Sequence, residues 1–170
     1  TDKAPYAVWE REGWLIATQG SVVRYDYLAA DLIDTASRFD IQAVSYDRWL
    51  IKTFENALDE TGATLPLIEH PQGTNQRKGN PLWMPESINK FEELILEKRI
   101  RIEVNPAMRS AIASACFWTS PAGLRRFEKQ RATGRIDICL AATMAIGAAT
   151  VVDNSQPASP WDDPDFSIMS

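Results

Sequence analysis

Two aspartates carry the chemistry that this sequence could perform. Asp47 follows the apolar stretch 41–46, which has the length and composition of a short buried strand. Asp137 opens a run in which no other charged residue occurs before Asp153. Carboxylate oxygens bind Mg²⁺ or Mn²⁺, and two such ions about 3.5 to 4 Å apart can hold the attacking and leaving oxygens of a phosphodiester. If the two side chains converge, the pattern predicts metal-assisted phosphodiester hydrolysis.

The position of Asp137 strengthens this interpretation. The helical positions three, four, seven and eight residues beyond it are Leu140, Ala141, Met144 and Ala145, so we expect the acid to lie over a face that packs against the core. An ionised carboxylate near such a face is costly unless a cation or hydrogen-bond donors compensate its charge. A divalent ion would provide that compensation.

Both acids also have structural interpretations. Aspartate is a favoured N-cap where a strand hands over to a helix, which would explain Asp47. A carboxylate at a helix start interacts with the helix dipole by about 0.3 to 1 kcal/mol, which would explain Asp137. Neither Glu92 nor Glu93 is convincingly placed to be a third metal ligand. The pair alone is therefore a weak signal.

The sequence contains few other candidates for catalysis. His70 is the only histidine, and one imidazole without partner ligands makes neither a metal site nor a catalytic triad, so we interpret it as structural. Cys116 and Cys139 form no CxxC pair, which argues against a disulfide framework and against a zinc site. This cysteine usage fits a reducing compartment.

Positive charge is concentrated in the middle of the chain. The net charge is −5, but residues 77–135 contain 12 Lys and Arg against 6 Asp and Glu. Phosphate attraction depends on local charge density, so an acidic protein can still bind nucleic acid through such a segment. An ordinary solvated face is the alternative. The candidate contacts to DNA phosphates are Arg125, Arg126, Lys129, Arg131 and Arg135.

Hydrophobic periodicity predicts alternating strands and helices, which indicates an α/β layer fold. The uncharged run 138–152 has 15 residues, fewer than the roughly 20 of a membrane span, so we expect a buried helix and no membrane contact. One domain is predicted over 1–150, followed by an acidic, Pro-rich tail over 151–170 that we expect to be disordered. The predicted helices cover about 26–38, 48–61, 86–99 and 136–149. The predicted strands cover 41–46, 64–70 and 99–104. Residues 106–118 fit either a helix or a strand, and residues 120–135 are predicted to form a basic loop.

Four segments of the chain, in order over residues 4–149, carry a resemblance to a known family. They are "APYAVWEREGWLIATQGSVV", "AVSYDRW", "FEELILEKRIRIEVNP" and "GRIDICLAATMAIGAA". Together they resemble the nuclease domain of the large terminase subunit of tailed phages and prophages. The last segment, in which Arg-Ile-Asp opens the closing helix, is the most specific.

The resemblance implies a ribonuclease H-like mixed sheet flanked by helices, without its N-terminal strands in this chain. It assigns Asp47 and Asp137 as catalytic metal ligands for two Mg²⁺ or Mn²⁺ ions. It matches Lys129 to a lysine that precedes the last acid, for phosphate contact or charge compensation. The family's first acid would lie upstream, so we expect the isolated chain to be nearly inactive, because a site lacking a ligand holds its ions poorly.

The implied function is cleavage of concatemeric double-stranded DNA during packaging, in the host bacterial cytoplasm. The implied partners are DNA, an ATPase domain that precedes the nuclease, the small terminase subunit and the portal protein. Two alternatives stay open. One is a catalytically silent, nuclease-like scaffold that docks to the portal or small subunit and uses its acids as caps. The other is a metal-dependent nuclease of the same fold, such as a junction resolvase.

Overall fold

A computed structural model of the chain describes residues 4–20, 22, 24–49 and 51–155. Short strands alternate with longer helices along this part of the chain. The elements are α1 (Tyr6–Arg11), α2 (Tyr25–Arg38), β1 (Val44–Tyr46), α3 (Ile51–Asp59), β2 (Leu67–Glu69), α4 (Met84–Leu96), α5 (Pro106–Ser114), β3 (Phe117–Thr119), β4 (Arg125–Phe127) and α6 (Asp137–Ser155).

The strands form two small sheets. β1 and β2 pair in parallel, with Val44 opposite Leu67 and Tyr46 opposite Glu69. β3 and β4 pair antiparallel, with Phe117 opposite Phe127. The predicted α/β class is therefore confirmed. The predicted mixed sheet is not seen as one sheet, since parallel and antiparallel pairs are separate within the described residues.

The main core forms where α6 packs against α4, α5 and β1. Residues along α6 are buried at helical spacing, which gives the helix one continuous apolar face. The cluster consists of Met84, Ile88, Ala111, Phe127, Ile136, Cys139, Leu140 and Met144. A second, smaller cluster joins α2 to α3 through Ala29, Phe54 and Leu58.

The buried face of α6 differs from the face expected from the sequence. Leu140 and Met144 are buried as predicted, but Ala141 and Ala145 are exposed. Asp137 shares the exposed side, with 64% of its side chain accessible. The expectation that this acid lies over the core was wrong, because the centre of the buried stripe is rotated away from it toward Ile136 and Cys139.

The alternating segment 99–104 is not a strand, contrary to the prediction. Ile102 is 40% exposed and Val104 is 73% exposed, so the apolar half of the alternation is not covered. No described strand pairs with the segment. A period of two makes a strand possible, but a ladder partner and a surface to cover the apolar face make it stable.

Residues 106–118, which fitted either a helix or a strand, contain both. Asn105 caps α5, its Oδ1 accepting hydrogen bonds from the Ala107 and Met108 backbone N–H groups at 2.9 and 3.1 Å. Pro106 fills the first turn, where a missing N–H costs nothing. The helix ends at Ser114, and β3 follows within three residues.

Two further boundaries differ from the prediction. The predicted basic loop 120–135 contains β4, whose Phe127 is buried in the core. α6 continues to Ser155, so the first residues of the predicted tail are helical, and residues 156–170 lie outside the described residues. Among the helices that the structure describes, none is long and apolar enough to cross a bilayer.

Candidate functional site

Asp137 is the first residue of α6 and its carboxylate faces solvent. Lys129 donates a hydrogen bond from Nζ to Asp137 Oδ1 at 3.2 Å, with 54% of the lysine side chain exposed. An exposed pair of this kind contributes at most about 1 kcal/mol, so it opens readily. The structure thus brings together two of the predicted site residues and leaves the acid accessible to a ligand.

Asp47 follows directly after β1 and is half-buried. Arg48 and Trp49, which follow it, are outside any helix, and α3 is described from Ile51. This distance along the chain removes the N-cap interpretation of Asp47, since a cap adjoins the first helical residue. The acid instead stands at the carboxyl end of a parallel strand, the end at which open α/β sheets place their sites.

The direction of the strands relates the two acids. Residues 40–43, which precede β1, line a groove with residues 145–152 of α6. Beyond β2, His70 contacts the helix near Gly147, whereas Gln72 reaches Met144. The chain beyond β2 therefore runs opposite to α6, and β1, which pairs in parallel with β2, shares that direction. His70, whose N–H donates to the Tyr46 carbonyl, is level with Gly147, so the end of β1 lies beside the middle of α6, ten residues along the helix from Asp137. Convergence of the two carboxylates stays a prediction.

The donor chemistry fits a hard divalent cation. Mg²⁺ in enzymes is commonly held by one or two carboxylates, with waters and substrate phosphates completing its coordination. Asp47 and Asp137 could supply those carboxylates, and Lys129 occupies only one oxygen of Asp137. Within the described ranges, no group of three or more His, Cys, Asp or Glu side chains is close enough to form a complete protein cage.

Arg125 has internal partners. Its guanidinium donates to both Glu92 oxygens at 2.8 and 2.6 Å and to Asn89 Oδ1 at 2.7 Å. It also lies 5.3 Å from the centre of the Phe117 ring. The hydrogen bonds to Glu92 raise the pKa of Arg125. These contacts tie β4 to α4, which is a structural role that the charge count could not reveal.

The other four predicted phosphate ligands are more accessible. Arg126 lies 5.1 Å from the Trp118 ring centre and has a long contact of 3.4 Å with Glu128. Arg131 and Arg135 are exposed, and no carboxylate of the described part of the chain pairs with either of them. Lys129 adjoins Asp137. The positive charge nearest to Asp137 is therefore available to an anion.

A groove of about 470 Å³ adjoins Asp137. Arg135 and Ser110 line it together with the α1 aromatics Tyr6 and Trp9. The two rings meet edge to face, 5.4 Å apart. Sequence reasoning did not assign α1 to the site, although the density of Tyr and Trp near the start of the chain was the available signal.

His70 has the structural role predicted for it. The side chain is fully buried; Nδ1 lies 3.2 Å from the Pro71 carbonyl and Nε2 lies 2.8 Å from Ser87 Oγ. Because a carbonyl only accepts, Nδ1 carries the proton and Nε2 accepts from the serine hydroxyl. Burial lowers the pKa of His70, and the nearby charge of Asp47 raises it to a smaller extent. The imidazole is thus held neutral.

Comparison with known proteins identifies the family. The family described as "Terminase large subunit, endonuclease domain" matches residues 1–153. The chain belongs to this family. It is 38% identical over 149 residues to "Terminase, large subunit" of Enterobacteria phage HK97, which is 88% of this chain and 28% of that protein. This membership excludes the junction resolvase alternative.

The solved structure described as "Crystal structure of the HK97 bacteriophage large terminase" is also similar. The TM-score is 0.77 at 37% sequence identity, over 86% of this chain and 29% of that one. The chain therefore spans a little over a quarter of the length of the terminase large subunits that it matches.

Proposed function

We propose that this endonuclease domain cleaves concatemeric double-stranded DNA in a phage packaging reaction, using two Mg²⁺ or Mn²⁺ ions held in part by Asp47 and Asp137. The observation that carries the proposal is the accessible Asp137 carboxylate at the start of α6, with Lys129 beside it. Family membership supports the reaction class. A ribonuclease H-like sheet, completed by other parts of the terminase, belongs to the same proposal.

When bound, the ions would activate water and stabilise the leaving oxygen. Lys129 compensates the charge of Asp137 in their absence, and it would move to a DNA phosphate when ions take over that compensation. Arg126, Arg131 and Arg135 would bind the backbone phosphates that neighbour the one contacted by Lys129. Arg125 would contribute indirectly, because its bonds to Glu92 hold the strand that leads to these residues.

The proposal also covers the partners and the compartment of the whole terminase. An ATPase domain of the same polypeptide, the small subunit and the portal would be the partners, and the host bacterial cytoplasm would be the compartment. The first acidic ligand would come from a strand upstream of Thr1, so we expect the 170-residue chain to cleave much more weakly than the terminase polypeptide that contains it.

Plasmid nicking by that terminase polypeptide in Mn²⁺ tests the two acids. Asp137→Asn and Asp47→Asn keep the side-chain shape but remove the charge, and each should lower the nicking rate by about 100-fold or more, as expected for loss of a metal ligand. Asp34→Asn is the matched control, because Asp34 is an exposed helical acid paired with Arg38. Its rate should be unchanged. Full cleavage by Asp137→Asn would reject the assignment.

A silent scaffold is the second candidate. It is favoured by the absence, within the described residues, of a complete group of metal-binding side chains. If the terminase polypeptide binds portal or small subunit but nicks no plasmid in Mg²⁺ or Mn²⁺, the scaffold replaces the nuclease.

A further inference from the structure

The carboxyl end of β1 carries three consecutive residues of different chemistry. Asp47 is half-buried, whereas Arg48 and Trp49 are exposed. Trp49 exposes 78% of its surface, compared with 36% for Trp118 and 8% for Trp9. Tryptophan is on average largely buried, because its indole carries more apolar surface than any other side chain. An indole this exposed beside a candidate metal ligand requires an explanation.

The guanidinium of Arg48 has no partner among the described residues, since no carboxylate or hydrogen-bond acceptor there pairs with it. Other arginines are held, such as Arg125 by Glu92 and Arg38 by Asp34. A free guanidinium is suited to a phosphate, which it can bind through two parallel N–H donors.

We propose that Arg48 and Trp49 form a DNA contact immediately beside Asp47. Arg48 binds a backbone phosphate, and Trp49 packs as an apolar wedge against a sugar and base edge in the minor groove. Aromatic and apolar side chains inserted there unstack base steps and bend the duplex. This inference rests on the proposed function, because Asp47 as a metal ligand brings the scissile phosphate to this loop.

Proximity along the chain favours DNA over a protein partner. Consecutive Cα atoms lie 3.8 Å apart, so the side chains of 48 and 49 start within two residues of the group that Asp47 binds. In a duplex the groups beside that one are neighbouring phosphates and sugars. An anionic backbone matches the free guanidinium, and the apolar faces of sugar and base match the indole.

DNA binding by the 170-residue chain tests the contact. A short fluorescein-labelled duplex is titrated in Ca²⁺, and the anisotropy is followed at several salt concentrations. Trp49→Ala should weaken binding about tenfold without changing the salt slope, because a stacked aromatic contributes no counterion release. Trp49→Phe should recover most of the affinity. Arg48→Gln should weaken binding about threefold and reduce the salt slope by about one.

Phe39 and Arg101 are matched controls away from Asp47. Phe39, which is 62% exposed, precedes β1 at the end opposite Asp47. Arg101 is an exposed arginine outside the groove that residues 40–43 line, and it serves as the matched control for Arg48. Phe39→Ala and Arg101→Gln should leave the affinity within twofold of the unaltered chain. All variants should keep the unaltered melting temperature, since the replaced side chains are exposed.

The outcomes separate this inference from the function on which it rests. If the duplex binds and Arg131→Gln weakens it, while Trp49→Ala binds as well as Phe39→Ala does, the loop contact is wrong and the nuclease proposal stands. If the chain binds no duplex at all while the terminase polypeptide nicks plasmid in Mn²⁺, the loop contact is overturned and the nuclease proposal stands. If Trp49→Ala abolishes self-association and leaves DNA affinity unchanged, the indole is a protein contact and the inference is overturned.

Discussion

At the scale of single residues, burial and partners determine what each charged group can do. Asp137 and Lys129 are exposed and form a weak pair, so both remain available to ligands. Arg125 has the same formal charge as Lys129, but Glu92 holds it with two hydrogen bonds. The neutral His70, enclosed by Ser87 and the Pro71 carbonyl, can act only as a structural group at neutral pH.

The buried state of His70 predicts a pH dependence of stability. Its pKa is lowered from 6.5 in the folded chain. Below about pH 6.5 the unfolded chain therefore binds a proton that the folded chain resists, and the free energy of unfolding should fall as the pH falls from 7.5 toward the folded pKa. One group contributes a slope of at most about 1.4 kcal/mol per pH unit. Urea unfolding at pH 7.5, 6.5 and 5.5 measures it.

Because the sequence has one histidine, the assignment is simple to check. His70→Gln should flatten the pH dependence over this window. If that variant does not fold, the urea unfolding of the unaltered chain at the three pH values tests the prediction by itself. Stability that rises as the pH falls from 7.5 to 5.5 would contradict a buried, neutral imidazole.

At the scale of elements, α6 organises the domain. Its buried stripe contacts α4, α5 and β1, and its first residue belongs to the candidate site. Gly147 lies at a close approach of α6 to α4, since a Cβ there would overlap with Ser87 Oγ and meet His70 Nε2 at 2.9 Å. The missing side chain at this position makes room for the His70–Ser87 hydrogen bond.

Gly147→Ala should therefore destabilise the fold. On an open helix this change stabilises by about 1 kcal/mol through helix propensity. Here the added methyl group must displace Ser87 or shift α6, so we expect a loss of about 1 to 3 kcal/mol in the free energy of unfolding. Urea unfolding measures it. In the double variant with Ser87→Ala, part of that loss should disappear. A Gly147→Ala protein of increased stability would show that α6 and α4 are not in this close contact.

At the scale of the whole molecule, the distribution of charge matters more than its sum. The chain is acidic overall, at a net −5, yet residues 77–135 are basic. Part of that positive charge is neutralised within the fold, as at Arg125 and Arg99. The unneutralised part includes Arg131 and Arg135, and the latter lines the groove beside Asp137.

Replacing Arg131 and Arg135 together by Gln should weaken duplex binding by the 170-residue chain and reduce the salt slope by about two, one for each lost phosphate contact. Affinity should fall for all sequences alike, since phosphate contacts carry no base information. Anisotropy titrations over a range of salt concentrations measure both effects. An unchanged slope would show that this end of the molecule does not face the DNA backbone.

The sequence by itself determined the features that depend on local pattern. Helical spacing of apolar residues located α2, α3, α4 and α6. Short apolar runs bounded by Asp and Pro located β1 and β2. The Arg-Ile-Asp motif at the start of the last helix was the most specific part of the resemblance to the terminase family. These features are local because periodicity and turn chemistry act over a few residues.

Only the tertiary structure decided what depends on partners distant in sequence. Segment 99–104 alternates like a strand but finds none to pair with among the described residues, whereas β4 forms inside an apparent loop because β3 offers it a ladder. Glu92 is far from Arg125 in the sequence, but its two hydrogen bonds hold the Arg125 guanidinium, which is therefore not free to bind phosphate. The exposure of Asp137 follows from how α6 is rotated about its axis where it packs on α4. The sequence of α6 predicted that the helix has an apolar face, but it did not fix that rotation.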